Sequence, residues 1–160
     1  GTQLTPDGER VALEVLRHHR LLELFLAEAL AVPWDRVHDE AEVLEHVLSE
    51  ELEELIAAKL GDPARDPHGD PIPTRELLID EGDTQALQAL EPGARGVFVR
   101  VSDSDPEMLA YLAAREISLG MRLEVLDKQP FGGPLSVRLG DVVHVLGGRL
   151  AGAMRVEVDR

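Results

Sequence analysis

The run His38-Asp39-Glu40-Ala41-Glu42-Val43-Leu44-Glu45-His46 holds two imidazoles and two carboxylates that a helix would align. Positions three and four apart share one helix face, so His38, Glu42, Glu45 and His46 fall along one stripe. Charged groups packed that way repel their like neighbours unless a cation sits between them. Upstream, Arg17-His18-His19-Arg20-Leu21-Leu22-Glu23 sets His19 and Glu23 at the same i, i+4 spacing. Nitrogen and oxygen donors from two helices suit a first-row divalent metal. On residue types alone, the competing reading is a solvated acidic helix with two stray histidines.

The elements that must position these donors are legible along the chain. Thr5-Pro6-Asp7 opens a helix: a hydroxyl cap, proline at the first helical position, then an acid at the positive dipole end. Val11, Val15, Leu16, Leu22, Phe25, Leu26 and Leu30 carry the helical pattern to about Leu30, and Pro33 ends it or opens the next element. A second helix over roughly 35–47 carries the stripe. Ser49 caps a third, with Glu50 and Glu51 in its first turn, Leu52, Leu55, Ile56 and Leu60 as its buried stripe, and Gly61 as its stop. Residues 62–73 hold four prolines and a glycine and read as a rigid, extended loop. Residues 74–84 are polar and acidic and read as a linker.

From Leu87 the period changes. Residues 96–101, 122–126, 135–139, 142–146 and 155–158 are short, β-branched and partly alternating, separated by glycines and prolines. One helix, about 106–115, interrupts them, and Leu150-Ala151-Gly152 reads as a short 3₁₀ turn. The expected fold class is α+β: an all-helical domain followed by a small β-barrel of SH3-like size.

Composition limits the function. The 160 residues carry 31 acidic and 16 basic side chains, a formal charge of −15, so most of the surface should repel nucleic acid. Residues 35–62 alone hold ten Asp/Glu against Arg36 and Lys59. Cysteine is absent, which excludes disulfides, thiolate metal sites and cysteine nucleophiles. No apolar run approaches the ~20 residues of a membrane span, and no signal-peptide pattern opens the chain, so the expected location is cytoplasmic and no membrane partner is expected. A dimetal enzyme would want paired Glu-x-x-His motifs and a zinc hydrolase His-Glu-x-x-His. Neither occurs, and the chain is read as no enzyme, with no catalytic residues and no small organic ligand.

Three segments in order resemble the diphtheria toxin repressor family of metal-dependent transcriptional regulators. Leu4-Thr5-Pro6-Asp7-Gly8 with the His19–Glu23 segment resembles the family's wing-to-helix junction. Residues 41–49 resemble its metal-binding and dimerisation helix, and Pro67-His68-Gly69-Asp70-Pro71-Ile72-Pro73 its loop. Residues 85–160 are similar to its SH3-like domain, which is akin to the small domain of ferrous-iron transport protein A. The resemblance implies residues 1–75 as a metal-binding and dimerisation domain, 76–84 as linker and 85–160 as the SH3-like domain. It begins at about the last wing strand. The expectation is therefore a fragment whose operator DNA is read by a winged helix-turn-helix that this sequence does not contain.

The resemblance decides for a metal over a solvated face and sorts the donors. Glu42, Glu45 and His46 match the family's primary site, and His19, Glu23 and His38 its ancillary site; in manganese-type relatives the residue matching His19 joins a binuclear centre. Manganese-responsive members carry glutamate where Glu42 stands, and iron-responsive members a sulfur ligand. The implied cofactor is Mn²⁺, then Fe²⁺, with Zn²⁺ or Co²⁺ able to occupy the site in vitro. Asp103, Asp105 and Glu107 are candidates for further metal ligands, although Asp103–Pro106 also reads as a plain helix cap. His18 is read as facing solvent or standing behind the ligands, His68 as structural, and His144 as a packed or edge residue. A homodimer is expected through Phe25, Leu30, Trp34, Leu44, Val47 and Leu48. The implied function is the sensing and dimerisation portion of a Mn²⁺/Fe²⁺-dependent repressor of metal uptake. The alternative is a metal-binding adaptor for a metal transporter, without DNA.

Overall fold

The computed structural model of the chain describes residues 4–160. Its contacts divide into two units, one ending at Glu81 and one beginning at Gly82. The architecture is α+β, with helices in the first unit and a six-stranded antiparallel sheet in the second.

In the first unit, α1 spans Pro6–Leu30, with the Thr5 hydroxyl accepting from the Gly8 N–H at 3.2 Å. It stops at Ala31, which adopts the left-handed conformation (φ 54°) and returns its N–H to the Leu26 carbonyl. α2 spans Val37–Leu44 and α3 spans Glu50–Lys59, the latter capped by Ser49. Leu21, Leu22, Leu24, Leu26, Val37, Ala41, Ile56, Ala57 and Ile72 form one apolar core.

Two expectations change here. α2 ends at Leu44, and residues 45–47 form a turn. The helix has no basic residue in its last turn, and Glu42 and Glu45 sit at the negative end of the dipole, so nothing stabilises a further turn. The proline-rich loop is also not extended. It folds back on itself, with a bridge between Arg65 and Pro71 and a bond from the Ile72 N–H to the Ala64 carbonyl (2.9 Å). Asp66-Pro67-His68-Gly69 makes the reversal: the Gly69 N–H returns to the Asp66 carbonyl at 3.1 Å, and Gly69 takes the positive φ (85°) the turn requires. Asp66, His68, Asp70 and Ile72 are buried by it.

In the second unit, β1 (Gln85–Ala86), β2 (Arg95–Val101), β3 (Arg122–Lys128), β4 (Leu135–Leu139), β5 (Val142–Leu146) and β6 (Met154–Val158) lie in the order β1-β6-β2-β3-β4-β5. Register shifts at Phe98/Arg100 and Val125/Asp127 bend the sheet. Gly96 has no room for a side chain, because a Cβ there would collide with the Glu157 carbonyl of β6. α4 (Pro106–Ala113) buries Leu109 and Leu112 among the residues of this unit's core, which include Phe98, Ile117, Leu135 and Met154. The two-residue β1 and the 3₁₀ turn Leu87–Ala89 have no signal in the sequence pattern, and residues 148–153 form a short helix, α5, in place of the expected 3₁₀ turn.

Candidate metal centre

α1 supplies the donors. His19 and Glu23 stand one turn apart on its buried half, and α2 brings His38 to them. His19 Nε2 lies 3.1 Å from Glu23 Oε1 and 3.2 Å from His38 Nδ1, and His38 Nδ1 lies 3.4 Å from Glu23 Oε1. Ligands bonded at ~2.1 Å around one ion stand about 3.0–3.4 Å apart at right-angled or tetrahedral spacing. The three atoms, two nitrogens and one oxygen, therefore have the spacing that one face of a coordination shell would require. The donor set fits a borderline or hard divalent ion. Glu45 binds the opposite nitrogen, with Oε2 2.6 Å from His19 Nδ1. A carboxylate there orients the ring and frees Nε2 for an ion.

The charges favour a cation. Burial alone would pull His19 down, but Glu23 and Glu45 outweigh it and hold the imidazole up to about 9. Burial pushes Glu23 up, yet His19 beside it, with His68 and Asp66, keeps its carboxyl below the usual range. Asp66 is pushed up to about 8 by burial, then by the charges of Asp70 and Glu23, and the backbone N–H groups of Asp70 and His68 offset this only in part.

Glu42 and His46 do not join this group. Glu42 is exposed, and His46 lies past the end of α2 with its side chain 72% exposed, 3.7 Å from Glu45. The end of the helix at Leu44 takes His46 off the stripe, while Glu42 remains in α2 with its side chain exposed. Asp105 caps α4 through the Glu107 N–H (3.1 Å) and pairs with Arg149 (2.8 Å), and Glu107 is exposed. Asp103 lies in the loop before that cap. Of the apolar residues expected between protomers, Leu30, Leu44 and Val47 are exposed, whereas Phe25 and Leu48 pack on the core and Trp34 is half-buried, its ring stacked on His68.

Other residues hold the centre in place. Arg17 is buried, donating to Glu53 (2.6 Å) and to the Pro73 carbonyl (2.7 Å), and His18 meets the other Glu53 oxygen at 2.5 Å. Arg20 donates to the Pro71 carbonyl (2.5 Å). One face of α1 thus fastens both α3 and the folded loop. Sequence reasoning missed this framework, and with it Asp66. The available signal was the placement of Asp66 and Asp70 two residues either side of His68.

Comparison with known proteins gives concordant results. The family described as "Iron dependent repressor, metal binding and dimerisation domain" matches residues 5–74, and the FeoA domain matches 85–158. The diphtheria toxin repressor of Corynebacterium efficiens is 30% identical over 97% of this chain, which spans 70% of that relative. The iron-dependent repressor IdeR of Mycobacterium tuberculosis is 42% identical over 71 residues, covering 44% of this chain and 31% of its own. Among solved structures, a "Manganese-dependent transcriptional repressor complex with manganese" superposes with a TM-score of 0.94 at 46% identity, covering 98% of this chain and 75% of that one. ScaR with bound Zn²⁺ gives 0.84 at 29% identity over 98% of this chain and 78% of its own.

Proposed function

We propose, because this chain belongs to the iron-dependent repressor family of metal-dependent transcriptional regulators, that His19, Glu23 and His38 hold the ion through which it senses Mn²⁺ or Fe²⁺. The family consists of repressors rather than enzymes, and the chain carries its metal-binding, dimerisation and FeoA parts. No helix among the described residues is long and apolar enough to cross a membrane. The observation that carries the proposal is the triangle of 3.1, 3.2 and 3.4 Å between donors from α1 and α2.

On this reading residues 1–75 sense and dimerise, 76–84 link, and 85–160 form the FeoA-like part. Glu45 orients His19, and with Glu42 and His46 forms a further ligand set that is completed when the turn after α2 rearranges. Two carboxylates in that set make Mn²⁺ the better match and Fe²⁺ the next. Asp105 serves as a helix cap rather than a ligand. The exposed Leu30, Leu44 and Val47 meet a second copy across a two-fold axis. Metal-dependent spacing of two winged helices on operator DNA then represses metal uptake. The test is binding of the whole gene product to its own promoter DNA at fixed salt, with and without Mn²⁺. Binding that requires Mn²⁺ and is lost in Glu45→Ala supports the proposal. Mn²⁺ uptake with no change in DNA affinity overturns it in favour of a metal-binding adaptor.

A further inference from the structure

Glu23 has two carboxylate oxygens, and only Oε1 faces His19 and His38. Oε2 points the other way, into the space closed by the folded loop, and has no hydrogen-bond partner. His68 Nδ1 lies 3.9 Å from it and is likewise unpartnered. Both side chains are essentially inaccessible, at 1% for Glu23 and 0% for His68. The tautomer of His68 is set by its other nitrogen: Nε2 lies 2.6 Å from the Trp34 carbonyl, which can only accept. Nε2 therefore carries the proton, and a neutral ring presents a bare lone pair at Nδ1. Asp66 completes the group, its carboxylate facing Glu23. Asp66 Oδ1 accepts from the backbone N–H groups of His68 (2.8 Å) and Asp70 (2.9 Å), which fixes the carboxylate. Neither carboxylate has a lysine or arginine partner among the described residues.

Two unpartnered acceptors, Glu23 Oε2 and His68 Nδ1, thus converge with the Asp66 carboxyl, which gives up its proton when a cation binds, and no lysine or arginine lies between them. We propose that Glu23 Oε2, Asp66 and His68 Nδ1 hold a second divalent cation, with Glu23 bridging it to the ion on His19 and His38. Three features carry this. The donor atoms lie within 4.8 Å of one another, close to the span of ligands around one ion. Asp66 and the shared Glu23 bring two carboxylates to the pair of ions, which offsets part of the charge that burial penalises. The Nε2–H bond to a backbone carbonyl is the support that metal-bound histidines ordinarily have. Asp66 and His68 also form a structural turn, yet that turn needs only the Asp66 side chain and Gly69, and does not account for the unpartnered His68 Nδ1 and Glu23 Oε2. The inference depends on the preceding section only through Glu23.

The test measures Mn²⁺ uptake by the chain at saturation, using equilibrium dialysis on the wild type, Asp66→Asn and His38→Ala. Asn keeps the shape of the turn and its Oδ1 acceptor while removing the charge. The expected result is a loss of one equivalent per chain in each variant, with the other ions retained. Unchanged uptake in a folded Asp66→Asn overturns the second site. Loss in Asp66→Asn but not in His38→Ala supports the second site and overturns the first. No uptake by the wild type overturns both. Should Asp66→Asn fail to fold, anomalous diffraction at the manganese edge from Mn²⁺-loaded wild-type crystals decides. A peak beside His68 Nδ1 supports the site, and a peak on His19–Glu23–His38 alone overturns it.

Discussion

On the proposed assignment of His19 as a ligand, metal entry must expel a proton, and the structure sets how strongly this couples affinity to pH. The imidazole is held up to about 9 by Glu23 and Glu45, so at neutral pH both its nitrogens are protonated. An ion on Nε2 displaces the proton there, while Glu45 keeps the one on Nδ1. The sign follows: below about 9 the apo protein holds a proton that the bound form lacks, so affinity rises with pH and levels off above that value. One displaced proton gives a slope of about tenfold per pH unit, or about a hundredfold between roughly pH 6.5 and 8.5. Titration calorimetry with Mn²⁺ in buffers of different ionisation enthalpy counts the proton directly, and the expected release at neutral pH is close to one from this residue. Glu45→Ala should lower both the release and the slope by removing the group that stabilises the imidazolium. Affinity that is flat over this range, with no buffer-dependent heat, refutes the arrangement of His19 between two carboxylates.

The apo protein should lose stability as pH rises. Unfolded Asp66 ionises near 3.8 but keeps its proton to about 8 when folded, and His19 loses its stabilising charge between 6.5 and about 9. Glu23, held below its usual range, acts oppositely, and its contribution disappears only as pH falls through acid values. Urea unfolding in chelator at a series of pH values checks this, and Asp66→Asn should flatten the decline. Arg17→Ala leaves Glu53 buried beside His18 without its guanidinium partner, and should cost about 3 kcal/mol in thermal unfolding. The double change Arg17→Met/Glu53→Leu should cost much less. Val47→Glu places a charge on a 79%-exposed valine, and should shift sedimentation from dimer toward monomer while leaving the helical circular dichroism intact.

Features set by neighbours in sequence were legible without a structure. Thr5, Ser49 and Asp105 each cap the helix that follows, because a cap needs only a side-chain oxygen within three residues of free N–H groups. Strand β4 coincides with its alternating run because one face of it is buried, whereas β5, at the sheet edge, matches its apolar run although only Leu146 is buried. The gathering of His19, Glu23, His38 and Glu45 was half visible: spacing gave the pair on α1, but its meeting with α2 depends on Val37 and Ala41 packing in the core. The end of α2 was not visible, since neither glycine nor proline marks it and the stop follows from unfavourable charge at its last turn. Nor could the burial of His68 be read from the sequence. It depends on Arg17 and Arg20 binding carbonyls of the loop more than fifty residues away, and backbone carbonyls leave no trace in side-chain patterns.

The length of α1 has a mechanical consequence. His19 lies thirteen residues beyond Pro6, about 20 Å along a continuous helix at ~1.5 Å per residue. From His19 to Ala27 the helix is half-buried or buried in the core, while the stretch before Arg17 is largely exposed. A stiff rod held at one end is a lever. A tilt of about 5° about the ligands swings the Pro6 end by about 1.7 Å, several times the change in spacing that binding an ion imposes on its donors. Amplification of a sub-ångström event thus needs no relay of side chains here. It needs only that the helix stay unbroken between cap and ligands, so a proline placed between Gly8 and Arg17 would uncouple the two ends without touching either.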